Sequence, residues 1–178
     1  TSNTISKTSG TYTCAKAIQV ISSSTVTGSI SKNTISDTKE SGISISTSSK
    51  VKGGISSNTI TNAGAHGIEV VSKSTVAKKI SSNTISGCVK NGIYLGNTKN
   101  SLTVDNNTIS GCTKYSIEVG VGTTSYTVTV SSNKITGKSS SSSTGILLMS
   151  GKVTTSSNTF KKVKKQISAS SGVIWTEK

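Results

Sequence analysis

The chain has 178 residues, a net charge of +14, no proline and only 3% aromatic residues. Its length fits one domain, and no apolar run approaches the length of a helical membrane span, so no membrane insertion is expected. Large rings cannot fill a wide globular core at this composition; a narrow core lined by Ile, Val and stacked Asn can be filled. All twenty basic residues are lysine. That charge suits anionic partners such as acidic polysaccharide, cell-wall polymer or nucleic acid. Nucleic acid is set aside, because stacking aromatics are scarce and the bidentate arginine that reads guanine and phosphate is absent. A solvated, solubilising surface is the plain alternative.

Taken in chain order, the first element is a phrase that never stops recurring. NTIS stands at Asn3, Asn33, Asn83 and Asn107, with NTIT at Asn58, NKIT at Asn133 and NTFK at Asn158. Thr1 opens inside the first copy, which predicts a portion upstream. Successive motif asparagines are 30, 25, 25, 24, 26 and 25 residues apart, and a period near 25 is the signature of a solenoid. Each period carries three strand signals with period-two alternation and β-branched residues. An alternating apolar pair precedes the Asn, as in Leu102 and Val104 or Val128 and Val130. The T-I-S step follows, with Ile5, Ile35, Ile60, Ile85, Ile109, Ile135 and Phe160 facing inward. The third is a G-I-x-V step at Gly42, Gly67, Gly92 and Gly145. Only 159–167 offers a helical periodicity. Three strands per turn at this period predict an all-β, parallel β-helix solenoid of about seven coils, stacked about 4.8 Å apart. The Asn recurs because each coil needs the same corner: its amide can bond the equivalent Asn and backbone above and below.

Two later features interrupt the monotony. Cys88 and Cys112 each stand five residues after a motif Asn on neighbouring coils, within reach of a disulfide but readable as buried thiols packed like small hydrophobes. Cys14 has no evident partner, and three cysteines fit neither a disulfide framework nor a four-ligand zinc site. At the far end, residues 170–178 bring Val173, Ile174 and Trp175 after a lysine-rich stretch. They read as a cap over the open end of the coils.

The succession of strand pair, S-S-N corner, T-I-S strand, loop and G-I-x-V strand resembles the right-handed parallel β-helix repeats of the pectate-lyase-like superfamily. The likeness runs from Thr1 to about Ala169. It implies a right-handed solenoid and, by the family's coil order, a substrate groove on the G-I-x-V strand with the preceding loop on the same side. Function is left open by it, since the superfamily holds lyases, hydrolases, epimerases, phage adhesins and non-catalytic binding modules.

Stacking the G-I-x-V strands gives an outward column of Gln19, Ser44, Glu69, Tyr94, Glu118 and Leu147. The positions just before give Ser41, His66, Asn91, Tyr115 and Thr144, and one step earlier Glu40, Ala65, Lys90 and Lys114. The one histidine, two tyrosines and two lysines thus gather on one face around the middle coils. As a binding face, Tyr94 and Tyr115 would stack on sugar rings. His66, Glu69, Asn91 and Glu118 would bond hydroxyls, while Lys90 and Lys114 attract acidic groups. As an enzyme, Glu69 and Glu118 would form a carboxylate pair about 9.6 Å apart at the strand spacing, near the upper limit for inverting glycosidases. Lys90 or Lys114 would then neutralise a uronate or act as base. The resemblance itself argues against catalysis here: the arginine common in its lyases is missing, as are the close aspartates of its polygalacturonase-like hydrolases. Its calcium-dependent lyases need clustered acids, whereas Asp37 and Asp105 are far apart in coil position. A third reading takes the Thr and Ser columns outside the T-I-S strand, which are similar to the ice-binding faces of some antifreeze proteins, although Lys134 and Lys161 interrupt them.

The reading that follows is one parallel β-helix domain over 1–178, with coils over 1–169, forming a module of a larger secreted or cell-surface protein. The composition suits an AT-rich, bacterial genome. Its expected role is non-catalytic binding of polysaccharide, with acidic glycans such as pectin as the first candidates and other domains of the same chain as partners. No cofactor and no metal site are expected. A polysaccharide lyase or glycoside hydrolase on the same face is the alternative, and a structural spacer or ice-binding solenoid the third.

Overall fold

A computed structural model describes residues 1–6, 14–139 and 143–178, so 7–13 and 140–142 of the expected coils lie outside the described residues. Three seven-stranded parallel sheets run the length of the molecule, one for each strand signal in the repeat. The T-I-S sheet pairs Ile5, Ile35, Ile60, Ile85, Ile109, Ile135 and Phe160 in one unbroken register. The G-I-x-V sheet does the same with Ile18, Ile43, Ile68, Ile93, Ile117, Ile146 and Ile167. Within each interior T-I-S strand the outer Thr or Lys is exposed, the Ile buried and the next residue half-buried. That alternation lets one column of aliphatic side chains fill the bore while hydroxyls face water.

Three strands per coil holds for the last four coils. The first three carry a fourth short strand, Thr25–Val26, Lys50–Val51 and Thr75–Val76, which form a small sheet of their own. The reason is local. Ser22–Ser23, Thr47–Ser48 and Ser72–Lys73 each place two consecutive residues at positive φ, which turns the chain sharply after the G-I-x-V strand. From the fourth coil that double turn is absent, and the corresponding strands lengthen to Ile93–Thr98, Tyr115–Val121 and Thr144–Ser150. The expected helical window 159–167 is also corrected. Thr159–Lys161 and Lys165–Ala169 are strands that pair with the coil beneath, with Lys162 at φ 49° between them. Ladder hydrogen bonds to an existing edge outweigh a weak helical periodicity.

The recurring Asn does what the repeat predicts. Asn58 donates its backbone N–H and its Nδ2 to Oδ1 of Asn83, at 3.0 and 2.9 Å, and Asn83 treats Asn107 the same way. The second Nδ2 hydrogen reaches back to the carbonyl of Ile30 from Asn58 and of Ile55 from Asn83. Each buried amide is therefore satisfied by its neighbours in the stack. The left-handed residue of the corner is not the Asn but the one before it: Ser2, Lys32, Ser57, Ser82, Asn106, Ser132 and Ser157 lie at φ 53–57°. Cys88 and Cys112 are free, buried thiols. The hydrogen bond with Cys112 first, and burial second, push the Cys88 thiol far up. At the far end Ile174–Glu177 closes the third sheet, and Trp175 donates its Nε1–H to Thr155 Oγ1 at 2.9 Å. Trp175 is anchored to the coil beneath.

Candidate carbohydrate-binding face

The inferred columns are the columns of the structure. Gln19, Ser44, Glu69, Tyr94, Glu118 and Leu147 are successive register partners across the G-I-x-V sheet. Inward neighbours such as Ile68, Val70, Ile93 and Leu95 are fully buried, so the alternation pins each outward side chain in place. Backbone N–H groups of Ala65, Lys90 and Lys114 bond the carbonyls of Glu40, Ala65 and Lys90, which aligns the loop column as well.

His66, Lys90, Asn91, Tyr94, Lys114 and Glu118 line one concavity of about 260 Å³. The His66 ring stacks on Tyr94, with centroids 4.8 Å apart and planes 21° from parallel. His66 is 8% exposed, and its Nδ1 is buried without a hydrogen-bond partner. Burial drives the His66 pKa down to about 4, with Lys90 and Lys114 pushing the same way and Glu69 opposing. The ring is therefore neutral at physiological pH. Burial, then the charges of Glu118 and Glu69, raise the Tyr94 phenol, which keeps its proton and can donate. Among the described residues neither Lys90 nor Lys114 has an ion-pair partner.

The two carboxylates do not face each other across open space. Glu69 accepts hydrogen bonds from the hydroxyls of Ser41 and Ser44. Glu118 accepts one from Asn91 Nδ2 at 2.6 Å, and Tyr94 holds the strand position between them. Asn91 is itself buried; its Oδ1 accepts the backbone N–H of Tyr115 at 3.3 Å, so its amide orients Glu118 from beneath. Glu69 and Tyr115 share the face but not the lining of this concavity. Glu40, one step further along, pairs with Lys16 at 2.6 Å, which draws its pKa down. Among the described residues no three His, Cys, Asp or Glu side chains gather as metal ligands.

A second concavity, about 380 Å³, adjoins the first and shares Tyr94 and Glu118 with it. Gly96, Gly120, Met149 and Ser150 line it further along the strands. Sequence reasoning missed these residues. The available signal was the glycine that follows I-Y-L in one coil and I-E-V in the next, Gly96 and Gly120, which are register partners.

The T-I-S face contrasts with this one. Its Thr column, Thr34, Thr59, Thr84 and Thr108, is exposed and in register, and Lys134 breaks it.

No curated protein matches the chain, and no solved structure does. The family described as the right-handed beta helix region matches residues 1–174, nearly the whole sequence. With the stacked register, the asparagine ladder and the parallel sheets described above, the chain belongs to the right-handed β-helix family.

Proposed function

We propose that this β-helix is a non-catalytic module that binds polysaccharide on its G-I-x-V face, with acidic glycans as the preferred class. One observation carries the reading: Lys90 and Lys114, without ion-pair partners among the described residues, line the same concavity as Tyr94 and His66. Unpaired ammonium groups attract carboxylates, a partly exposed phenol offers a sugar both an apolar face and a hydroxyl, and a neutral imidazole adds a hydrogen-bonding edge. The net charge of +14 draws an anionic polymer to the surface before any contact forms. The wider setting proposed is a secreted or cell-surface protein, with further domains in the same chain.

Binding is favoured over cleavage by the engagement of the carboxylates. Ser41 and Ser44 hold Glu69, Asn91 holds Glu118, and Tyr94 stands between them where an inverting hydrolase places sugar and water. Affinity electrophoresis of the purified chain through pectin, alginate, xylan and cellulose tests this, with reducing and unsaturated ends assayed in the same samples. Retardation by the acidic polymers without new ends, weakened in Tyr94→Ala, is the expected result. Release of products would replace the proposal with a lyase or hydrolase.

A further inference from the structure

The adjoining 380 Å³ concavity differs in chemistry from the lysine-bearing one. A β-carbon at Gly96 would lie 2.7 Å from Tyr94 Oη and 2.8 Å from Cζ, so the phenol ring lies folded along its own strand over the glycine. Gly96 is thus the seat of the ring, and any side chain there would push the ring off it. Next to it in register, Gly120 has a different role. A β-carbon there would meet nothing closer than Leu95 O at 3.5 Å, so the floor beside the Tyr94 ring is bare and open. Met149 closes the far side with 45% of its surface exposed.

No lysine lines this lobe, and the one charged group on it is the Glu118 carboxylate, which also lines the first lobe. A second acidic sugar would bring its carboxylate toward Glu118 with no cation to offset the repulsion. A neutral ring meets an aromatic, a bare backbone and a thioether, surfaces that suit the C–H face of a pyranose. Asn91 of the first lobe precedes the strand Ile93–Thr98, whereas Gly96 and Asn97 of the second stand near its far end, so the two lobes lie in sequence along the strands rather than along the helix axis.

We propose that the lobe floored by Gly96 and Gly120 is a subsite for an uncharged pyranose next to an acidic one, making the ligand a heteroglycan of alternating charged and neutral sugars. This rests on the polysaccharide-binding reading above and sharpens it. Gly96 is a positioning residue for Tyr94, and Gly120 and Met149 touch the neutral ring.

The test compares three probes on the intact chain by affinity electrophoresis and calorimetry: polygalacturonate, charged on every ring; a backbone alternating galacturonate with rhamnose; and neutral xylan. The alternating polymer is expected to bind at least tenfold more tightly than polygalacturonate, with xylan weakest. Gly120→Val, a residue at home in a strand, should erase that tenfold preference while leaving polygalacturonate binding in place. Met149→Lys, a change at a side chain with 45% of its surface exposed, should shift preference toward polygalacturonate. Equal affinity for the two acidic polymers, or a preference unmoved by both variants, would overturn the neutral subsite and leave the binding reading standing. Binding to none of the three would overturn both.

Discussion

Two faces of one solenoid, built from the same repeat, teach different things. On the T-I-S face the outward residue is Thr in coil after coil, the strands keep to two or three residues, and each of those Thr side chains is exposed. On the G-I-x-V face the corresponding column changes identity at every step, from Gln19 to Ser44, Glu69, Tyr94, Glu118 and Leu147, and the strands grow to seven residues. Both faces have buried aliphatics on the inside and a continuous ladder of isoleucines, although the G-I-x-V register shifts after Gly96 and after Val119. Repetition serves the stack. Departure from repetition, on a backbone that would accept a simpler residue, coincides with the face proposed to bind.

The strongest way to break the comparison is to remove what both faces share. Asn83→Ala deprives the Asn58 N–H and Nδ2 of their acceptor and the Ile55 carbonyl of its donor, all in the interior of the ladder. Two or three buried polar groups left unpaired should cost on the order of 4 kcal/mol, read as a lower denaturant midpoint. Both faces should fail together.

Next comes the acid response of the shaped face. The folded His66 pKa, about 4, lies below the ordinary 6.5, so the unfolded chain takes up its proton first as pH falls. The stabilisation is complete above about pH 6.5 and is lost progressively between 6.5 and 4, by at most about 3 kcal/mol. His66→Gln should flatten that part of the stability profile in urea titrations at stepped pH. A profile unchanged by the substitution would mean the ring is not held neutral by burial.

Gly92→Ala probes how tightly the two faces are coupled at the coil corner. The added β-carbon would sit 2.5 Å from Ile109 Cγ2, under the T-I-S strand, and 2.7 Å from the Ser116 carbonyl. Overpacking of this kind costs about 2 kcal/mol, measurable as a drop in thermal midpoint. The smallest effects separate the faces most cleanly. Tyr94→Ala should weaken glycan binding about tenfold, the scale of one aromatic contact. Thr84→Val on the T-I-S face should change stability by less than about 0.5 kcal/mol and leave binding untouched.

How much of this could be read in advance follows from the same contrast. Period, parallel stacking, the asparagine ladder and the outward columns were legible, because one structural rule acts on every coil and each copy corrects the others. His66, Lys90, Tyr94, Lys114 and Glu118 could be placed together for the same reason. What escaped depends on rules acting once. The fourth strand of the first three coils arises from paired left-handed residues such as Ser72 and Lys73, which carry no compositional mark like glycine. Asn91 being buried beneath Glu118, and the ring of Tyr94 lying over Gly96, are side-chain packing outcomes that register alone does not specify. Residues 159–167 misled because the spacing of Phe160, Val163 and Ile167 suits a helix, while the exposed edge of the sixth coil offered strands a template.

The central claim is that the ligand sits on the G-I-x-V face and nowhere else. Backbone amide shifts during titration with an acidic oligosaccharide, galacturonate-based and short enough to keep the complex small, test it most directly. The account predicts perturbations at residues 90–97 and 114–122, with 84–86 and 108–110 on the T-I-S face unmoved. Shifts centred on the threonine columns would contradict it and move the function to the other face.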